Sequence, residues 1–192
     1  MDIAMGLVIG IGLSAACGFR VFVPLLGLSI ASLAGHLTLS SGFEWIGSWP
    51  ALVAFAAATI IEVCAYYIPW FDHIMDVGAT PAAIVVGTVM VASQMGDMSP
   101  LLKGSLAALA GGGVSAVVQG GTVALRAASL GTTGGLGNWV VSTLELGLGV
   151  VVTVLAIVLP VICLVAVALV CYRMAKSILA SRLHRRRQAA PA

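Results

Sequence analysis

The chain has 192 residues, of which 60% are hydrophobic and 8% are charged, with a net charge of +2 and a mean hydropathy of +1.13. This balance excludes an ordinary soluble domain and predicts an all-α, polytopic transmembrane bundle. Because one span needs about 20 apolar residues, the length allows about five spans and leaves no separate extramembrane catalytic domain. Residues 1–172 are therefore predicted as a single transmembrane domain.

The first apolar segment runs from Ile3 to Ala34 and is too long for one simple span. It holds Arg20 near its middle, with Gly18 before the arginine and Pro24 after it. Proline has no backbone N–H, so the carbonyl of Arg20 loses its helical partner. We expect the helix to break here, with Gly18 and Pro24 as hinge residues, where the freed groups face protein or a wet cavity.

The second span is predicted from Pro50 to Ile68, after a polar loop at 36–49. It carries Glu62, and Tyr66 lies on the same helical face. A carboxylate at membrane depth costs several kcal/mol unless it is paired or wetted, as does Arg20. Glu62 is therefore a candidate site residue.

An acidic stretch follows, with Asp72 and Asp76, and is predicted as an exposed loop on the outer side. Thr80 and Pro81 have the pattern of an N-cap and a first helical residue. The third span is therefore predicted to be short, from Pro81 to about Gln94.

The fourth span begins at Ser99–Pro100 and carries two stripes. Small residues recur every four positions, a pattern that allows close helix approach and favours a homodimer; they are Gly104, Ala108, Gly112, Ala116 and Gly120, continued by Ala124 and Ala128. Polar residues follow another face at steps of three and four; they are Ser115, Gln119, Thr122, Arg126 and Ser129. Gln119, Thr122 and Arg126 are candidate pathway residues.

A glycine-rich turn at 131–138 is predicted as a tight turn or gate hinge through Gly134 and Gly135. The fifth segment then runs from Trp139 to Tyr172, with Glu145 near its start. A proline inside it and its length allow it to kink or divide. Five spans are predicted, and division of the first or last segment would give six.

The buried charges occur in the order Arg20, Glu62, then Arg126, Glu145. A third span between the pairs would reverse the direction of the second pair through the membrane. This layout predicts an inverted-topology repeat, with halves at 1–70 and 100–172 and the site near the midplane.

Basic residues crowd the C-terminus, residues 173–192, and predict a cytoplasmic tail that contacts the lipid bilayer. With five spans, the acidic stretch then lies outside and Lys103 inside. Nucleic-acid binding is excluded because no folded basic surface with aromatic residues is indicated.

No metal site or cofactor is predicted. The cysteines lie in apolar segments without a metal-ligand spacing. No nucleophile–base pair is visible, so we expect no enzyme activity and no catalytic residues.

Three strings resemble the bacterial membrane family catalogued as domain of unknown function 4126. They are residues 18–24 (GFRVFVP), Glu62 followed by residues 67–72 (YIPWFD), and residues 132–138 (TTGGLGN) leading into residues 141–145 (VSTLE). The resemblance covers nearly the whole chain apart from the tail, although Trp139 stands where the family has proline. It implies an integral protein of the bacterial inner membrane and brings no established activity.

Two hypotheses follow for function. In the first, the protein is a small transporter or channel, and a small solute, with an anion as one candidate, passes a polar site formed by Arg20, Glu62, Gln119, Thr122, Arg126 and Glu145. In the second, it is a structural or assembly protein in which Arg20–Glu62 and Arg126–Glu145 are buried ion pairs without a ligand. A water-accessible cluster favours the first hypothesis, and a dry, mutually paired cluster favours the second.

Overall fold

The computed structural model describes residues 2–68, 71–96, 98–134 and 137–188, with side chains left out at 71–73, 133, 174, 175 and 177–188. The regular secondary structure of these residues is helical. Its elements are α1 (Ile3–Cys17), α2 (Phe22–Leu33), a 3-10 turn (Glu44–Gly47), α3 (Trp49–Tyr66), α4 (Phe71–Gln94), α5 (Pro100–Leu106), a π-helical turn (Ala107–Gly112), α6 (Gly113–Thr133), α7 (Asn138–Val158) and α8 (Pro160–Gln188).

Four long apolar stretches in the described chain are able to cross a membrane, namely Trp49–Tyr66, Ile74–Gln94, Pro100–Thr132 and Asn138–Val158. Only 22–33% of each apolar window is buried inside the protein, so most of its surface faces outward. An apolar surface of this extent indicates a multi-pass membrane protein.

The first apolar segment breaks where the sequence predicts. α1 ends at Cys17 and α2 begins at Phe22, so Arg20 lies in the break. Pro24 lies buried in the first turn of α2, where its missing N–H leaves no helical bond unmade. The predicted broken helix is therefore confirmed.

α1 and α2 form a hairpin that returns to the end where it began. α1 starts beside Gly96, because a Cβ on that glycine would lie 4.0 Å from the Ile3 side chain. After α2 the chain docks on the same end of α4, where the Ser40 N–H donates to the Ser93 carbonyl at 2.8 Å. The arms have 15 and 12 residues, or about 22 and 18 Å, short of a bilayer core of about 30 Å. The hairpin is re-entrant, with Arg20 at its inner tip.

α4 begins at Phe71, so the predicted exposed loop around Asp72 and Asp76 is wrong. Pro81 lies inside this helix instead of starting it. The proline removes the N–H that would donate to the Val77 carbonyl, and the hydroxyl of Thr80 donates to the adjacent Asp76 carbonyl at 3.0 Å. Proline within a membrane helix is tolerated where nearby hydroxyls replace lost bonds, a context that local sequence rules for caps do not include.

The fifth apolar segment divides at Leu159. The Cys163 thiol lies 3.8 Å from the Val152 carbonyl, so α8 folds back along α7. The described helix α8 continues to Gln188 and includes most of the predicted tail. The shorter apolar helices of the described chain are α1, α2 and the first part of α8, Pro160–Arg173.

Because the fifth segment divides into α7 and α8, four helical passes separate the α3–α4 connection from the end of α8, so both lie at the same end of the bundle. The sequence placed the acidic stretch and the tail on opposite sides, which the geometry contradicts. Lys103 lies at the other end, where it donates to Ser40 Oγ at 2.8 Å.

α5, the π-helical turn and α6 form one continuous helix that crosses α1 and α4 at small residues. Ser115 Oγ donates to the Gly111 carbonyl at 2.6 Å, and Ser14 Oγ bonds the same carbonyl. The predicted dimer ridge does not stay on one face: Gly112 is buried against α4, whereas Gly104, Ala108 and Gly120 are exposed and Ala116 is half-buried. An extra residue in the π-helical turn rotates everything after it by about 100°.

The predicted inverted repeat is not shown. Its first half starts with helices of 15 and 12 residues that return to one end, whereas α6 and α7 in the second half each have 21 residues.

Candidate functional site

The buried charges of the sequence meet around one aromatic ring, that of Tyr66 near the end of α3. The guanidinium carbon of Arg20 lies 3.9 Å from the ring centroid, and that of Arg126 lies 4.2 Å from it. Both arginines are almost fully buried, with 1% and 3% of their surface exposed. A buried guanidinium over an aromatic face is stabilised by the ring quadrupole.

Arg126, on α6, joins two other helices. Its Nη1 donates to Asp76 of α4, and its Nη2 donates to Glu145 of α7. The Tyr66 hydroxyl donates to the same Asp76 oxygen at 3.4 Å. The side chains of Arg126 and Glu145 are each 3% exposed and that of Asp76 is 14% exposed, so these pairs are nearly dry. The predicted Arg126–Glu145 pair is therefore present.

Arg20 reaches the same carboxylate from the tip of the hairpin. Its Nη2 donates to the Ser142 carbonyl at 2.9 Å and lies 3.9 Å from Glu145 Oε2. Its Nε and Nη1 are buried and have no hydrogen-bond partner among the described residues. Glu145 Oε1 and Ser142 Oγ are likewise buried and unpartnered. Buried polar groups are nearly always satisfied, so this corner of the cluster has hydrogen-bonding capacity for a further molecule.

Glu62 caps the broken helix and does not hold Arg20. Its Oε1 accepts the Val21 N–H at 2.8 Å, and its Oε2 accepts the Phe22 N–H at 3.1 Å. These amides open α2, where the helix dipole favours a negative charge. The predicted Arg20–Glu62 ion pair is therefore wrong, since the described ion-pair partner of Arg20 is Glu145. The break frees amide donors, and they attract the carboxylate.

Gln119 and Thr122 are buried on the same face of α6 as Arg126, with 2% and 6% of their surface exposed. Thr122 Oγ1 donates to the Gln119 carbonyl at 2.9 Å within its own helix. Gln119 lies seven residues before Arg126, about 10 Å along the axis. The structure therefore buries the predicted polar stripe, and the charge cluster forms at one end of it.

The predicted hinge residues have different surroundings. A Cβ on Gly18 would lie 2.5 Å from Val118 Cβ and 2.9 Å from the Ser115 carbonyl oxygen, so close packing requires glycine there. Gly134 ends α6 with φ of 63°, the left-handed conformation typical of a helix C-cap. Gly135 lies outside the described residues.

The cluster lies off-centre in the bundle. Glu62 lies four residues before the end of α3, and Asp76 lies five residues after the start of α4. Arg126 and Glu145 each lie seven residues from a helix end on the same side. These offsets correspond to about 6–10 Å, so the cluster lies nearer one end of the bundle than its middle, whereas the sequence predicted a site near the midplane.

Sequence reasoning missed Asp76 because it was assigned to a loop. A signal was present, since Asp76 is the only charged residue between Ile74 and Gln94. The other charged members of the cluster were found because each is a lone charge in an apolar segment. The same criterion, applied to Ile74–Gln94, identifies Asp76 as well.

The described side chains contain no group of three or more histidine, cysteine, aspartate or glutamate residues that is able to hold a metal ion. Within the cluster, Glu62 is engaged by backbone amides, and Asp76 and Glu145 are engaged by Arg126.

No curated protein and no solved structure matches this chain. A family model does match, and it covers residues 7–179, from within α1 to within α8. The cluster, the broken helix and the glycine-rich turn all lie inside that range. The chain therefore belongs to the family described as domain of unknown function (DUF4126).

Proposed function

We propose that this protein is a small transporter or channel of the bacterial inner membrane, and that the cluster around Tyr66 lies on the path of a small polar solute. The observation that carries the proposal is the unsatisfied corner of the cluster, at Arg20 Nε and Nη1 and at Glu145 Oε1. A network that served only to hold helices together would satisfy its buried members.

The re-entrant hairpin supports the same proposal. Irregular backbone at membrane depth is tolerated where it is buried in protein or lines a wet cavity. The break at 18–21 brings Arg20 to the cluster and leaves the amides of Val21 and Phe22 to Glu62. A pathway that approaches this tip has a short distance to travel, since the tip lies near one end of the bundle.

We assign recognition of the solute to Arg20, because two of its donor atoms are unpartnered. A guanidinium selects oxygen acceptors such as carboxylate or phosphate. Arg126 instead has two carboxylate partners and organises the site. An anionic solute is therefore expected to contact Arg20 first. Rocking between inverted repeats is not needed for this proposal.

The orientation proposed here follows from the basic end of α8. By the positive-inside rule that end is cytoplasmic, and the cluster lies in the half of the bundle nearer to it. The N-terminus and the loop at 34–48 are then outside.

The test is ligand-dependent thermal stability of the detergent-purified full chain, across small carboxylates, inorganic phosphate, chloride and phospholipid head groups. Wild type is compared with Arg20→Gln and with the control Arg173→Gln, whose side chain is exposed. A ligand at about 100 times its Kd stabilises the folded state by about 2.7 kcal/mol. We expect one class of oxyanion to raise the Tm of wild type and the control but not of Arg20→Gln, and the same anion to cross proteoliposomes.

The second hypothesis, a structural role, is favoured by the dry pairs of Arg126 with Asp76 and Glu145. It predicts that Arg126→Gln loses about 3–5 kcal/mol of stability, since a buried charge is left unpaired. Both hypotheses predict this loss of stability, so the effect of ligands on the Tm decides between them. If no ligand shifts the wild-type Tm and no flux is detected, the structural role stands and transport is rejected.

A further inference from the structure

The charged groups that meet at Tyr66 do not balance. Two guanidiniums, of Arg20 and Arg126, face three carboxylates, of Glu62, Asp76 and Glu145. The other titratable groups beside them in the described chain are Tyr66 and the buried thiol of Cys17, both neutral in ordinary conditions. When all five charged groups are ionised, the cluster has a net charge of −1.

A net charge is costly in this position. The side chains of Arg20, Arg126 and Glu145 are between 0% and 3% exposed, so little water reaches them. Glu62 is 7% exposed and the side chain of Asp76 is 14% exposed. Charge removed from water is stabilised only by balancing charge and hydrogen bonds. One monovalent cation would complete the balance.

The free oxygen atoms indicate which cation fits. Glu145 Oε2 accepts Arg126 Nη2, whereas Glu145 Oε1 is buried without a partner among the described residues. Ser142 Oγ, three residues earlier on α7, is also unpartnered. A hard metal cation takes about six or more oxygen ligands, while a proton needs one oxygen and one acceptor.

We propose that the cluster binds one proton, shared by its three carboxylates and held mainly on Glu145 Oε1. Both oxygens of Glu62 already accept amide N–H groups. Asp76 Oδ1 already accepts Arg126 and Tyr66, and the Asp76 side chain is 14% exposed against 3% for Glu145, so its charged form is better hydrated. A proton on Glu145 Oε1 displaces no donor. The step is a proton transfer from hydronium to a carboxylate oxygen: one O–H bond of hydronium breaks, one O–H bond forms on Glu145 Oε1, a water molecule is released, and no oxidation state changes.

The proton site has a consequence for transport, and that consequence rests on the proposed function. An anion that enters a cluster of charge −1 is repelled, whereas one that enters the protonated cluster meets a neutral site. Protonated Glu145 also holds Arg126 less strongly, because a neutral carboxyl is a weaker acceptor than a carboxylate. Proton and anion are therefore expected to bind together, and the proton is the coupling ion.

The test is infrared difference spectroscopy of the detergent-purified full chain at neutral pH in sodium-free buffer, in H₂O and D₂O. The wild type should show the C=O stretch of one carboxylic acid, shifted in D₂O. Glu145→Gln, Asp76→Asn and Glu62→Gln should each lose it, because each variant leaves two carboxylates against two guanidiniums. Glu44→Gln should keep it, since Glu44 accepts the Gly42 N–H in an exposed loop far from the cluster.

A wild-type spectrum without the band overturns the proposal. A band that survives Asp76→Asn or Glu62→Gln contradicts it too, because charge balance would then not set the proton count. If Glu145→Gln does not fold, the other two variants still decide. The result is independent of flux: a band without transport retains the proton site and rejects the transporter, and flux without a band does the reverse.

Discussion

Tyr66 is the residue around which the site is organised. Its ring lies beside both guanidiniums and its hydroxyl donates to Asp76, so one side chain contacts groups from the α1–α2 break, α4 and α6. A desolvated cation–π contact contributes about 2 kcal/mol, and removal of one member of a buried ion pair costs about 3–5 kcal/mol. The ion pairs therefore dominate the stability of the cluster, and the ring sets the positions of the two arginines.

Glu62→Gln should release the start of α2. The amide of glutamine has one acceptor oxygen and places an N–H₂ donor beside an N–H, so the amides of Val21 and Phe22 cannot both be satisfied. An unsatisfied buried donor costs about 1–3 kcal/mol. We expect a lower Tm and faster hydrogen exchange at these two amides. Unchanged exchange there, with Glu44→Gln as the matched control, would show that Glu62 is not the cap.

At the scale of elements, the site depends on close helix crossings that only glycine permits. The π-helical turn places Gly111 against Gly87 of α4, where an added Cβ would overlap the Gly87 carbonyl oxygen. Gly113, two residues later, has nothing within 4 Å of an added Cβ. The same helix thus contains one glycine required by packing and one that is not.

Gly111→Ala should destabilise the protein by about 1–3 kcal/mol, because two backbones have to move apart. Gly113→Ala should be neutral or stabilising by up to about 1 kcal/mol, because alanine favours helix more than glycine does. Denaturant or thermal unfolding in one detergent measures both. Equal losses in the two variants would mean that the crossing is looser than the structure shows.

At the scale of the whole molecule, the division of the last apolar segment at Leu159 decides which ends lie together. If α7 and α8 formed one span, the loop at 34–48 would lie at the same end of the bundle as the end of α8. Because α8 folds back along α7, five helical passes separate the loop from the end of α8, so the two lie at opposite ends. The end of α6 then lies at the same end as the end of α8.

Impermeant maleimide labelling of intact cells should distinguish these topologies. In a background with all four native cysteines replaced by serine, Ser41→Cys should be labelled and Thr132→Cys should not. Both positions are exposed, so access depends on the side of the membrane. Permeabilised cells are the control, where both should react. The reverse pattern would mean that α7 and α8 together cross the membrane only once, or that the C-terminus lies outside.

The homodimer stays a prediction. Gly120, Ala124 and Ala128 form an exposed small-residue face on α6, whereas Gly112 packs against α4 within the same chain. Any interface on this helix therefore has to use fewer ridge residues than the sequence pattern suggested.

The sequence by itself determined the helical membrane class, the break beside Arg20 and five of the residues that matter. Hydropathy and proline affect helix formation locally, over one or two turns, so their effects can be predicted from the sequence. Arg20, Glu62, Arg126 and Glu145 were found because an apolar segment makes each lone charge conspicuous. Tyr66 was placed on the face of Glu62 by helical spacing.

Only the tertiary structure decided which charges meet. Glu62 accepts backbone N–H groups at the start of α2, and Arg20 donates to a carbonyl of α7. Asp76 accepts Arg126 from a helix that begins before Pro81. These choices depend on which helix ends lie at the same end of the bundle, and on a hairpin whose tip brings Arg20 to them. Partner choice among buried charges is a property of three-dimensional proximity, which helical periodicity within one segment does not contain.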